Sequence, residues 1–131
     1  MQLEFLSDIS DGGKYPDVVS DNLIRLFEFD ASETELITRL ILKTLIKERE
    51  SIELADFEFI NPVNCRLTMM ISDRDYGIIK TEIPDKFTCK LTRESYFIMI
   101  ERMREVSDGH NWLCDTSNGG IDFLYSPGGT W

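Results

Sequence analysis

The sequence predicts an α+β fold: a mostly antiparallel sheet of about 6–8 strands, with two helices at about residues 33–50 and 93–107 packed on one face. Three observations lead there. Two stretches carry apolar residues at helical spacing, "ETELITRLILKTLIKER" and "RESYFIMIERMREV". Between and around them run short segments of alternating apolar and polar residues. The links joining those segments are a few residues rich in Asp, Gly, Asn and Pro, which suits hairpins better than crossover helices.

Taken in order, "QLEFLS" (2–7) is a short strand, followed by the loop "DISDGGKYPDVVSD". "NLIRLFEF" (22–29) is a second strand. Ser32 and Glu35 have the S-x-x-E spacing of a capping box, so the first helix starts there, with Leu36, Ile37, Leu40, Ile41 and Leu45 as its buried stripe. "SIELADFEFI" alternates as a strand, but Ile52 and Leu54 share one parity and Phe57 and Phe59 the other, so a bulge falls near Ala55–Asp56. Asn61-Pro62-Val63-Asn64 is a turn into "CRLTMMI", with Cys65, Leu67, Met69 and Ile71 on one face. "IIKTEI" and "KFTCKL" continue the sheet. The second helix follows Thr92, with Tyr96, Phe97, Ile100, Met103 and Val106 inward, and ends by Gly109. A closing hairpin, "NWLCD" and "IDFLY", turns at Asn118-Gly119 and sets Trp112, Phe123 and Tyr125 on one face.

Length and composition narrow the function. At 131 residues the chain is one domain (1–131), large enough to bury a core without disulfide or metal. Its longest apolar runs, "LIL" and "FIMI", are far below a membrane span, and its start lacks the basic and apolar regions of a secretory signal. The expectation is a cytoplasmic protein with no membrane partner. Three cysteines, Cys65, Cys89 and Cys114, lie 24 and 25 residues apart with no C-x-x-C pair, so they read as reduced, buried thiols.

Net charge is −10, and it is uneven. Residues 1–35 hold nine acids against Lys14 and Arg25, whereas residues 36–131 hold fifteen acids and twelve bases. Such a chain presents no basic face for phosphates, so nucleic acid is not an expected partner. An acidic surface steers a basic protein instead.

Motifs for small-molecule chemistry fail on spacing. Gly13-Lys14 resembles the end of a P-loop, but Asp8 and Tyr15 occupy the positions of the earlier glycine and the hydroxyl residue. Aligning Asp73 as the first residue of a calcium loop puts Gly77 at the fifth position and Pro84 at the twelfth. No cofactor and no metal site are expected. His110 and Cys114 could pair only on a helix; four residues apart on a strand, they stand about 13 Å from each other.

The reading favoured by these residues is a small, acidic, non-catalytic interaction domain, with the size and charge of an immunity- or inhibitor-type binder of a basic protein. Its expected contact residues are Asp8, Asp11, Asp17 and Asp21, with the terminal Trp131 as a further anchor. The alternative is a ligand-binding protein or enzyme whose pocket gathers Asp56, Tyr76, Cys89 and His110 across the sheet. A third is a structural domain whose strand edges pair between copies as a homo-oligomer.

Overall fold

The alternating residues at the start become two antiparallel strands, β1 (Gln2–Leu6) and β2 (Leu23–Phe27), with Leu3 opposite Leu26 and Phe5 opposite Ile24. The computed structural model describes residues 1–9, 11–15, 20–106, 108–114 and 120–129. The remaining elements are α1 (Ala31–Leu40), β3 (Ile52–Glu53), β4 (Asn61–Pro62), β5 (Arg66–Ile71), β6 (Gly77–Lys80), β7 (Lys86–Leu91), α2 (Arg93–Glu105), β8 (Asn111–Trp112) and β9 (Asp122–Ser126).

The fold is α+β, but the strands form two mixed sheets rather than one mostly antiparallel sheet of six to eight. The described residues contain nine strands, ordered β4-β1-β2-β9-β8 in the first sheet and β3-β5-β7-β6 in the second. Three pairings are parallel: β1 with β4, β2 with β9, and β5 with β7. Strand order is set by which apolar faces meet after the chain has looped away. β9, almost 100 residues beyond β2, pairs beside it because Phe123 and Tyr125 then share a face with Ile24 and Leu26.

Those residues face one continuous core. Ile37, Ile41, Leu45, Leu67, Met69, Cys89, Tyr96 and Met103 are all fully buried in it. The helices bridge the sheets instead of covering one face of a single sheet. Thr34 on α1 shares a 2.7 Å hydrogen bond with the Tyr125 hydroxyl of the first sheet. Tyr96 on α2 donates to the carbonyls of Met70 (2.8 Å) and Cys89 (2.9 Å) in the second. Phe5 and Phe87, with ring centroids 4.7 Å apart, join the inner faces of the two sheets directly.

Local chemistry explains several departures from the expected elements. The first helix is capped by Asp30, not Ser32: the Asp30 carboxylate accepts from the Glu33 N–H (2.9 Å), and Glu33 accepts from the Asp30 N–H (3.3 Å). Ser32 donates to the same Asp30 carboxylate, supporting the cap instead of forming it. Past Leu40 the helix widens into a π-helical stretch, Ile41–Lys47, and its end is closed by Arg49 at φ +58. The buried stripe is Ile37, Thr38, Ile41, Leu45 and Ile46, which leaves Leu36 46% exposed. On α2, Met99 takes the inward place assigned to Phe97, which is 41% exposed beneath the Arg93 guanidinium.

Where the parity of "SIELADFEFI" slips, pairing stops after Glu53 and a 3₁₀ turn, Leu54–Asp56, follows. Asn61–Pro62, expected as a turn, adds a parallel edge to β1, with Asn61 N–H donating to Met1 (2.9 Å). Pro62 is tolerated there because an edge position needs no second donor. In the final hairpin Trp112 pairs with Leu124, so it lies on the face opposite Phe123 and Tyr125. The Asn118-Gly119 turn lies outside the described residues.

Leu23 and Leu124 are fully buried yet stand on the outer face of the first sheet, apart from the main core.

Candidate functional site

The acidic opening of the chain divides into structural and exposed carboxylates. Glu4 accepts two hydrogen bonds from Arg25 (2.9 and 2.6 Å). Glu33 holds the Met1 ammonium at 2.7 Å, and Glu35 pairs with Arg39 at 3.1 Å. Asp30 caps α1, and its hydrogen bonds to Ser32 and Glu33 hold its pKa below the ordinary aspartate value. Glu4 and Glu33 support the fold in partly buried ion pairs and Asp30 as a helix cap, whereas the Glu35–Arg39 pair lies exposed on α1. Asp8, Asp11 and Asp21 remain exposed on the loop between β1 and β2. Asp17 and Trp131 lie outside the described residues.

The loop is tied down at its base. Asn22 accepts the Asp8 N–H on its side-chain oxygen (3.3 Å), while its carbonyl accepts from Asp122 N–H (3.0 Å) and from the Ser20 hydroxyl (2.9 Å). Ile9 N–H donates to the Asp21 carbonyl at 2.9 Å, closing the loop on itself. Asp8 and Asp11 both adopt left-handed backbone, φ +50 and +52, which aspartate tolerates better than most residues because its short side chain bonds locally. The Asp8 carboxylate accepts from Gly12 N–H (2.9 Å), and the Asp11 carboxylate stands 3.9 Å from Lys14 Nζ. Sequence reasoning identified these acids but missed Asn22 as the organiser; an Asn directly before a strand, at the end of an Asp-rich loop, was the available signal.

Arg25 is the second feature missed. It reaches from β2 to Glu4 and to the Gly129 carbonyl (2.7 Å), with its guanidinium 4.0 Å from the Phe27 ring centroid. Gly129 is required there: its φ is +76, and a Cβ would stand 2.9 Å from Arg25 Nη1. The turn after β9 is thereby fastened to the outer face of the first sheet.

The four residues expected to share a pocket sit in different surroundings. Asp56 is exposed and accepts from Arg66 at 2.8 Å; Arg66 also donates to Glu53 at 2.9 Å. Tyr76 is exposed at the entrance to β6, and Cys89 is fully buried beneath α2. His110 is exposed, edge-on to Trp112 at 6.0 Å between centroids. None of the four lines the two surface troughs described below.

Cys65 and Cys89 are poorly suited to nucleophilic work. All three cysteines are buried. Burial pushes the Cys65 thiol up to about 12, helped by the nearby Asp85, Glu4 and Glu53 charges, and burial raises Cys89 further. A thiol held protonated is not an attacking group. Among the described residues, no three His, Cys, Asp or Glu side chains are grouped to hold a metal ion. No helix of the described chain is long and apolar enough to cross a membrane.

Two troughs open at the surface beside the second sheet. One trough of about 450 Å³ is lined by Thr68, Thr81, Glu82, Ile83, Lys86 and Thr88. A second, of about 270 Å³, adjoins it through Ile83 and Lys86. No protein-family model matches this chain, and no curated protein matches it either.

Proposed function

We propose that the protein is a non-catalytic interaction domain that receives a basic protein partner on its acidic loop, in the manner of an immunity- or inhibitor-type binder. One observation carries the reading. The exposed carboxylates of Asp8 and Asp11 stand on a loop whose backbone is held by Asn22, Asp21 and its own left-handed turns. Carboxylates fixed before binding lose less entropy when a cation meets them, and their field accelerates encounter with a basic surface. The buried free thiols of Cys65 and Cys89 fit a reducing, intracellular setting.

Affinity purification from the native host with mass spectrometry of the bound fraction identifies the partner. With that partner in hand, the association rate is measured from about 50 to 500 mM salt, across which the screening length falls from above to well below 10 Å. The rate should drop steeply with salt, and Asp8→Asn with Asp11→Asn should flatten that slope. A partner without a basic surface, or a salt-independent rate, would overturn the reading.

A further inference from the structure

Strands β5 and β7 turn alternate residues away from the core. Leu67, Met69, Phe87 and Cys89 are buried inward, which leaves Thr68, Lys86 and Thr88 on the outer face, with Thr68 beside Thr88 in the parallel register. The turn between β6 and β7 adds Thr81, Glu82 and Ile83, and these residues together border the larger trough of about 450 Å³. Small-molecule sites span roughly 300–1,000 Å³, so the trough is of that size. Its rim is held by the backbone. Thr81 N–H and hydroxyl both donate to the Lys86 carbonyl (3.1 and 2.8 Å), and Lys86 N–H donates to the Ile83 carbonyl (3.2 Å).

The trough differs from its surroundings in which groups lack partners. Just outside it, Arg66 is paired with Glu53 and Asp56. On its border, Thr68 spends its hydroxyl hydrogen on Glu53, so that oxygen can only accept. The Lys86 ammonium, the Glu82 carboxylate and the Thr88 hydroxyl have no partner among the described residues. Lys86 and Glu82 border one trough without pairing with each other. A simple anion drawn to Lys86 therefore meets Glu82, and a simple cation drawn to Glu82 meets Lys86. A ligand that carries both charges answers both groups at once.

We propose that this trough binds a small zwitterion of the α-amino-acid class. Its carboxylate meets the Lys86 ammonium and the Thr88 hydroxyl, and its ammonium meets the Glu82 carboxylate, with the Thr68 oxygen as a further acceptor. An aliphatic side chain on the ligand covers Ile83, which is 59% exposed and otherwise leaves its apolar surface in water. The charges lie at the surface, where water screens them, so binding is weak, with a dissociation constant on the order of 1 mM.

Amide NMR titration of the whole chain with L-leucine, up to about 20 mM, tests the site. Saturable shifts should centre on residues 81–88 and on Thr68. Isocaproate lacks the ammonium and isopentylamine lacks the carboxylate, and each should bind at least about fivefold more weakly than leucine. Lys86→Met keeps the apolar stem and removes the charge. It should weaken leucine at least about fivefold while leaving isopentylamine no weaker than before. Glu82→Gln should do the same to leucine and leave isocaproate no weaker. The spectra of the two variants also report that the fold is kept. No saturable shift by 20 mM, shifts centred elsewhere, analogues that match leucine, or charge variants that bind it as the parent does would each overturn the proposal.

Discussion

Tyr96→Phe removes one oxygen from the centre of the fold and should cost about 2 kcal/mol. The side chain is fully buried, and its hydroxyl lies 2.8 Å from the Met70 carbonyl and 2.9 Å from that of Cys89. One hydrogen is therefore shared between adjacent strands β5 and β7, fastening α2 beneath their parallel pair. Phenylalanine keeps the ring and nearly all of its packing, so the loss falls on hydrogen bonding. A net hydrogen bond is worth about 0.5–1.5 kcal/mol, and leaving a buried acceptor unsatisfied costs about 1–3 kcal/mol. Carbonyls with a second lone pair tolerate this better than N–H groups, which places the sum near the middle of the range. For a domain of this size such a loss lowers the melting temperature by roughly 5–10 °C. Urea unfolding of parent and variant at pH 7, with the m-value unchanged, measures it directly. A difference below about 0.5 kcal/mol would mean that the bond contributes little beyond what water supplies in the unfolded chain, and the reasoning would fail.

Two further changes probe other joints. Glu33 both closes the capping box and receives the buried Met1 ammonium, so Glu33→Ala should cost about 2–3 kcal/mol. Glu33→Gln, which keeps an acceptor but not the charge, should lose less; thermal melts of the two variants would contradict the reading if they were equal. At high pH the Cys65 thiol, raised from 9.0 to about 12, binds its proton more tightly in the folded state than in the unfolded one. The stability linked to it is complete below about pH 9 and is lost as pH rises toward 12. Cys65→Ala should flatten the fall of unfolding free energy with pH above 9, by up to about 1.4 kcal/mol per pH unit. Parallel slopes for the two proteins would refute that assignment.

Much of the local structure was legible in the residues themselves. Strand β7 is the alternation "KFTCKL" with Phe87, Cys89 and Leu91 inward, and Thr92 caps α2 by accepting from Ser95 N–H. The acid at N-cap and the glutamate three residues on were also written in the sequence, but Ser32/Glu35 and Asp30/Glu33 both satisfy the spacing. The structure starts the helix at Asp30, where the neighbouring Phe29 docks against Tyr125 with ring centroids 4.1 Å apart. The acidic opening of the chain could be seen as composition, whereas its division into fold-supporting and exposed carboxylates depended on where Arg25 and the Met1 ammonium fell.

What the sequence by itself determined is whatever depends on near neighbours: the periods of helix and strand, the caps, and the excess of acid in the first 35 residues. Tertiary structure decided which strands pair, which face Trp112 takes, and that Asp56, Tyr76, Cys89 and His110 occupy separate surroundings. The physical reason lies in distance along the chain. Periodicity fixes which face of an element is apolar, but the partner of that face is chosen by packing against residues as remote as β9 is from β2, and no local pattern records that choice.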